Sequence, residues 1–123
     1  EPQTVTLVEE NAEAVYFAKK NIAANDRLHC EIVHASAERL AEKIAANQTV
    51  VVDPPRSGLH EKLTRRILEA KPDRIIYLSC GIDTHARDIA LLSTRYHISA
   101  LKLYNFFPRT PHIEALAVLD RKE

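Results

Sequence analysis

The sequence predicts an α/β fold in which a mostly parallel, doubly wound sheet carries helices on both faces. Short β-branched or apolar runs alternate along the chain with stretches in which apolar residues recur at helical spacing. Several of these runs stop abruptly at an acidic residue or a cysteine. The last two runs have no helical stretch between them, so we expect them to pair as an antiparallel hairpin.

Strands are expected at 4–8, 30–33, 49–52, 74–79, 98–104 and 114–119, where β-favouring residues cluster. The run at 49–52 is continuously apolar, which predicts a strand that is buried on both faces of the sheet. At 123 residues, with no repeat or linker, the chain fits one domain or part of one.

Helices are expected after Asn11 and after Ser36, each of which is a good N-cap, and over 61–70 and 83–94. An Asn25-Asp26 turn should follow the first helix. In the first helix, Ala14, Phe17, Ala18, Asn21 and Ile22 recur at helical spacing, and the second helix carries Leu40, Ala41, Ile44 and Ala45.

The composition limits the classes of function. Seventeen basic residues balance 17 acidic ones, so no overall positive field marks the chain for nucleic acid, although a local patch would serve. Cys30 and Cys80 fit neither a metal spacing nor a disulfide framework, which indicates a reducing compartment. No signal-like or membrane-length apolar run is present, and we therefore expect a cytoplasmic protein that does not bind a membrane.

Reactive residues gather at one edge of the predicted sheet. Glu9, Asp53 and Cys80 each follow a parallel strand, and such carboxyl ends meet where open α/β sheets bind ligands. The last strand runs the opposite way, so Glu114, at its beginning, belongs to the same edge. The topology thus predicts a rim with carboxylates and a thiol.

Three motifs at these places resemble those of a known enzyme family. They are Asp53-Pro54-Pro55-Arg56-Ser57-Gly58, then Ser79-Cys80 with Thr84-x-Ala86-Arg87-Asp88, and Phe107-Pro108-x-Thr110-Pro111-His112-x-Glu114. In order and spacing the set resembles the S-adenosylmethionine-dependent RNA uracil-5-methyltransferases. The resemblance implies a Rossmann-like class I methyltransferase sheet and, as substrate, a uridine in ribosomal or transfer RNA.

The resemblance also implies roles for individual residues. Cys80 would be the nucleophile that adds to carbon 6 of uracil, and Glu114 the base that removes the carbon 5 proton. Asp53 would lie between cofactor and uracil. Glu9 would bind the ribose hydroxyls of S-adenosylmethionine, and Ser36 matches the position that contacts its adenine. No metal is implied.

The chain departs from the family pattern after the cysteine, where Gly81-Ile82 replaces the usual Asn-Pro. Structural alternatives also stay open. A lone cysteine is more often a small buried apolar residue, which is our interpretation of Cys30. Glu9 would also suit the N-terminus of the first helix. Phe106 and Phe107 are equally suited to stacking on a base and to packing on the core.

Two other functions compete with this one. An RNA cytosine-5-methyltransferase also uses a thiol but usually has a second cysteine in the motif that here contains Pro55 and Arg56. A non-catalytic domain that binds RNA or a protein partner is the other, and the neutral charge counts against it.

By the same resemblance, the mid-sheet strand and glycine-rich turn that hold the cofactor's methionine end are missing, and residues 1–123 form the C-terminal portion of the domain. We therefore expect the fragment alone to be inactive and its unpaired inner edge to favour self-association.

Overall fold

The computed structural model describes residues 4–25 and 29–123. Of the predicted Asn25-Asp26 turn, residue 26 lies outside the described residues. The chain divides into two units, Glu1–Ala41 and Glu42–Glu123. The alternation of strands and helices is confirmed, and no helix among the described residues has both the length and the apolar character needed to cross a membrane.

The first unit contains two parallel strands, β1 (Val5–Glu9) and β2 (Cys30–His34), joined through α1 (Ala12–Ala24). The predicted cap is confirmed, because Asn11 Oδ1 accepts the backbone N–H groups of Glu13 and Ala14 at 2.9 and 3.0 Å. The residues that recur at helical spacing do not coincide with the buried face, because Val15 is the buried residue of α1 and Phe17 is 52% exposed.

The prediction of a helix after Ser36 was wrong. The chain instead forms two 3-10 turns, Ala37–Arg39 and Ala41–Lys43. The Gln48 side chain closes the following loop by accepting the Ala45 N–H at 3.0 Å and donating to the Lys43 carbonyl at 3.4 Å. Asn47 there adopts a left-handed φ of 63°. These local bonds compete with a regular helix over so short a stretch.

The second unit contains a four-stranded sheet in the order β3-β4-β6-β5. Its strands are β3 (Thr49–Val52), β4 (Arg74–Ser79), β5 (Tyr96–Tyr104) and β6 (Glu114–Arg121). β3 and β4 are parallel, and β6 is antiparallel to both β4 and β5. The predicted antiparallel hairpin is confirmed, with a register shift between Ile98 and Ala100.

One face of this sheet is buried. Its residues are each at most 3% exposed: Ile75, Tyr77 and Ser79 on β4, and Ala115, Ala117 and Leu119 on β6. Helix α3 (Ile82–Leu92) packs there through a contact of His85 with Tyr77, and α2 (Glu61–Ala70) contacts α3. Full burial of a side chain such as Ile75 stabilises the fold by about 1.5–3 kcal/mol.

The opposite face is open in the second unit. Val51 on β3 is 63% exposed and Leu78 on β4 is 37% exposed. The prediction that 49–52 is buried on both faces was therefore wrong, because only alternate residues of β3 reach the helix-covered side and Val51 lies on the open one. Hydrogen bonding also divides the expected single sheet into two, β1-β2 and β3-β4-β6-β5.

Candidate active site

Cys80 and Glu114 lie at adjoining ends of β4 and β6. These antiparallel strands are paired as far as Ser79 and Ala115, so Cys80 is the next residue on one strand and Glu114 the next on the other. Both residues are half-buried. The strand register therefore sets a thiol across from a carboxylate although the two residues are 34 positions apart in sequence.

Asp53 joins them at the same end of the sheet. β3 is parallel to β4, with Val52 opposite Tyr77, and Asp53 is the exposed residue that follows β3. Alternation along each strand assigns Asp53, Cys80 and Glu114 to the side opposite α2 and α3. The second unit thus brings together all three residues that the sequence predicts for catalysis.

The turn after Cys80 is held by the hydroxyl of Ser79. Ser79 is fully buried, and its Oγ accepts the Gly81 N–H at 3.0 Å and donates to the Gly81 carbonyl at 3.2 Å. Thr84 Oγ1, on α3, lies 2.8 Å from the Arg56 carbonyl and 3.1 Å from the Gly81 carbonyl. These contacts fix the turn after the cysteine against the loop after β3.

Gly81 explains how the chain accommodates its departure from the family pattern. A Cβ at this position would lie 2.9 Å from the Arg56 carbonyl oxygen and 2.8 Å from Thr84 Oγ1. Real Cβ atoms are seldom so close to backbone oxygen, so the two loops approach each other across the missing side chain. Ile82, the other changed residue, begins α3 and is 48% exposed.

A buried carboxylate on α3 holds the loop that carries Asp53. Asp88 is 1% exposed, and its Oδ2 accepts the Leu59 N–H at 2.7 Å and the Tyr77 hydroxyl at 2.8 Å. Arg87 donates to Asp88 Oδ1 at 2.8 Å and to the Ser57 carbonyl at 3.0 Å. Burial and this hydrogen bond to Asp88 raise the pKa of Tyr77 well above its ordinary value, so its phenol stays protonated.

Gly58 allows this approach. Its φ is +82°, and a Cβ there would lie 2.5 Å from Asp88 Oδ2. The Gly58 N–H also donates to the Pro55 carbonyl at 2.9 Å, which closes the turn.

A second contact connects the loop after β3 to the one before β6. The Arg56 guanidinium donates to His112 Nδ1 at 2.8 Å. Because arginine is only a donor, Nδ1 of His112 is the acceptor in this contact. The ring of Phe107 meets that of His112 edge-on at 6.4 Å.

Glu9 and Ser36 belong to the first unit. Glu9 ends β1, and its carbonyl accepts the Ala35 N–H at 3.0 Å. Glu9 and Ser36, the residue after Ala35, therefore both lie at the carboxyl end of the β1-β2 sheet. One carboxylate oxygen of Glu9 accepts the Asn11 N–H at 2.7 Å, which is the helix-terminal role considered for it above. The expectation that Glu9 shares a rim with Asp53 stays a prediction.

These two residues also suit the expected cofactor. A carboxylate has two oxygens and accepts several hydrogen bonds, so the Asn11 contact leaves capacity for a ribose diol. The Ser36 side chain makes no capping hydrogen bond to the turn that follows it. Among the described residues, no cluster of three or more His, Cys, Asp or Glu side chains is arranged to hold a metal ion.

A sequence profile described as tRNA (Uracil-5-)-methyltransferase matches residues 42–122. The chain belongs to this family. The match contains the motifs that include Asp53, Cys80 and Glu114, and it is to the uracil-5 enzymes rather than to the cytosine-5 enzymes considered as a rival.

Two relatives of this chain in the family are enzymes named tRNA (uracil(54)-C(5))-methyltransferase. That of Saccharomyces cerevisiae is 33% identical over 93% of this chain and 19% of its own length. That of Pyrococcus abyssi is 38% identical over 90% of this chain and 26% of its own length. The chain therefore spans about a fifth to a quarter of these relatives.

Solved structures agree with the family. The P. abyssi enzyme in complex with S-adenosyl-L-homocysteine superposes with a TM-score of 0.80 at 36% identity, covering 94% of this chain and 28% of that one. An rRNA methylase from Streptococcus thermophilus, 10% identical, matches 98% of this chain and 74% of that one with a TM-score of 0.72. The second likeness shows the fold alone. The predicted Rossmann-like methyltransferase fold and enzyme family are confirmed, and the expected cofactor agrees with the P. abyssi complex.

The sequence left Asp88 and His112 without a role, although both lie in the family motifs. The sequence pattern of α3 did not single out Asp88, because two of the three buried residues of that helix, His85 and Asp88, are polar and only Leu92 is apolar. No local signal distinguishes His112 either, because its partner Arg56 is 56 positions away.

Proposed function

We propose that this chain carries the nucleophile and the base of an enzyme that methylates carbon 5 of a uridine in ribosomal or transfer RNA. The observation that supports the proposal most strongly is the strand register of Cys80 and Glu114, taken with membership of the uracil-5-methyltransferase family. The reaction needs a nucleophile and a separate base that reach the same pyrimidine.

In the proposed reaction, the Cys80 thiolate forms a bond from Sγ to carbon 6 of uracil, and the displaced electron pair moves into the carbon 5–carbonyl system as an enolate. Carbon 5 then takes a methyl group, whose bond to the cofactor's sulfur breaks. Glu114 removes the proton from carbon 5, the ring double bond re-forms, and the bond to Cys80 breaks. The thiolate is thereby regenerated, and Glu114 must lose its proton before the next cycle.

S-adenosylmethionine would supply the electrophilic methyl group. We propose that Glu9 holds the ribose hydroxyls, that Ser36 contacts the adenine, and that Asp53 lies between cofactor and uracil. The fit of Glu9 and Ser36 to hydroxyl and amine groups supports the first two roles, and the position of Asp53 at the same end of the sheet as Cys80 supports the third.

We propose further that residues 1–123 are the C-terminal portion of a larger catalytic domain and are inactive alone. The greater length of the two relatives supports this, as does the position of β3, which carries Val50, Val51 and Val52, at an edge of its sheet. Such an edge suits pairing with a further strand or, in the isolated chain, self-association. A reducing cytoplasm suits an enzyme whose nucleophile is a free thiol.

The test uses the full-length gene product that contains this chain, incubated with cofactor and RNA in which uridine is replaced by 5-fluorouridine. Fluorine on carbon 5 is not removed as a proton, so the enzyme should stall as a covalent adduct. Cys80→Ala should abolish the adduct. Cys30→Ala is the matched control, since Cys30 is the other half-buried free cysteine, and it should retain the adduct. An adduct that survives Cys80→Ala would disprove the assignment.

A further inference from the structure

An exposed aromatic surface continues from the candidate active site. The rings of Tyr104 and Phe106 stack with centroids 5.4 Å apart and an interplanar angle of 13°. Phe106 is 65% exposed, so most of its ring faces water. Such exposure is unfavourable for an aromatic ring and is typical of a recognition surface. We call Tyr104 and Phe106 together the aromatic platform.

The platform adjoins the base proposed for catalysis. Tyr104 ends β5 and is paired with Glu114, the first residue of β6. Paired residues on neighbouring strands direct their side chains to the same side of the sheet. Tyr104 and Glu114 therefore share the open face to which alternation also assigns Cys80.

The rest of the loop is held by hydrogen bonds and carries the cation Arg109. Thr110 closes a turn by donating from its N–H and its hydroxyl to the Phe107 carbonyl at 3.2 and 2.7 Å. Arg109, within that turn, has a left-handed φ of 66° and is exposed. Phe107 is held edge-on by His112, whereas the ring contact of Phe106 is with Tyr104 alone among the described residues.

We propose that the aromatic platform stacks on an unpaired base next to the target uridine, and that Arg109 contacts the adjoining phosphate. The inference rests on the proposed function. An enzyme that extracts a uridine from its stack leaves the neighbouring base with an uncovered face. A parallel aromatic pair beside the site provides a flat surface for that base, and exposed aromatics beside a cation are the usual means of binding single-stranded RNA.

Binding should be measured with the full-length gene product and a short fluorescent oligouridylate. Phe106→Ala should weaken the affinity about tenfold, the effect typical of one lost base stack. Phe106→Trp should restore it, because the larger ring keeps the stacking face. Phe17→Ala is the matched control, since Phe17 is 52% exposed on α1, and should leave affinity unchanged. Arg109→Gln should lower the slope of log affinity against log salt by about one.

A second readout locates the contact. Oligouridylate containing 5-iodouridine, irradiated in the complex, should crosslink to the tryptic peptide of residues 103–109, which lies between Lys102 and the cleavage at Arg109. Equal affinities for Phe106→Ala and Phe17→Ala, or crosslinks only elsewhere, would overturn the proposal. So would a change of self-association, rather than of RNA affinity, in Phe106→Ala. If the wild-type protein still forms the 5-fluorouridine adduct, such a result refutes the platform alone. If the wild-type protein forms no adduct, the proposed function itself is refuted.

Discussion

Arg56 donates a hydrogen bond to Nδ1 of His112 across 2.8 Å and so joins the loop after β3 to the loop before β6. Asp53 begins the first of these loops, and Glu114, two residues beyond His112, is the first residue of β6. The contact therefore couples the two proposed carboxylates through the loops next to them. We infer that Arg56 and His112 are positioning residues.

Arg56→Lys should slow adduct formation without preventing it. Lysine keeps the charge but lacks the planar donor geometry, and losing one partly exposed hydrogen bond costs about 1 kcal/mol, or roughly fivefold in rate. Single-turnover kinetics with 5-fluorouridine RNA measure this. Arg65→Lys, on the exposed side of α2, should have no effect. An Arg56→Lys rate equal to that of the control would show that the contact does not position the site.

Asp88→Asn should lower the free energy of unfolding by about 3 kcal/mol, because a buried carboxylate that serves several donors becomes a neutral amide with fewer acceptor sites. Those donors are the Leu59 amide, the Tyr77 hydroxyl and Arg87. Urea denaturation of the chain provides the measurement. Asp83→Asn is the matched control, because Asp83 is exposed in the first turn of the same helix, and it should cost less than about 1 kcal/mol.

Stability should fall as pH decreases through 6.5. Burial lowers the pKa of His85 below its ordinary 6.5, so the unfolded chain binds a proton more readily than the folded one. The stability that His85 contributes as a neutral residue is thus fully present above pH 6.5. It is lost as the pH falls from 6.5 to the lowered pKa of His85 in the folded state. Each tenfold change in the proton affinity of His85 on folding corresponds to about 1.4 kcal/mol of stability.

Replacing the histidine isolates this effect. His85 Nε2 is buried and has no hydrogen-bond partner among the residues that the structure describes, and the ring stands edge-on to Tyr77 at 4.4 Å. His85→Phe keeps an aromatic ring there but has no proton to bind, so the stability profile near 6.5 should flatten. His97→Gln, at an exposed position, should keep the wild-type profile. If His85→Phe retains the full pH dependence, the assignment to His85 is incorrect.

Gly81→Ala should destabilise the turn after Cys80 by about 1–3 kcal/mol, the usual cost of forcing extra atoms into a packed site. The added carbon would meet the Arg56 carbonyl oxygen at 2.9 Å, and backbone cannot move aside as a side chain can. Thermal unfolding measures the cost. Stability equal to wild type would mean that the two loops are not as closely apposed as Gly81 indicates.

The sequence was informative where a physical signal is local. Residues 61–70 form α2 as predicted, since their apolar residues recur at helical spacing, and the lack of a helix between β5 and β6 correctly predicted their hairpin. The ends of β3 and β4 and the start of β6 also lie where the sequence predicts them, at one end of the second unit's sheet.

Other features depend on contacts that no local pattern encodes. The stretch after Ser36 has helical spacing, yet Gln48 closes a loop there and the chain forms 3-10 turns. The apolar run at 49–52 looks like an interior strand, but the sheet order makes it an edge. Arg56 and His112 pair across 56 positions, and only the fold identifies them as partners.

The central claim is that Cys80 and Glu114 act on one uracil as nucleophile and base. Intact-protein mass spectrometry of the full-length Glu114→Gln variant, incubated with cofactor and unmodified RNA, tests it most directly. Without the base, carbon 5 should be methylated but keep its proton, so the enzyme should accumulate as a covalent RNA adduct through Cys80. The adduct should disappear in the double variant Glu114→Gln, Cys80→Ala. Normal turnover by Glu114→Gln, releasing methylated RNA and leaving no adduct, would contradict the account.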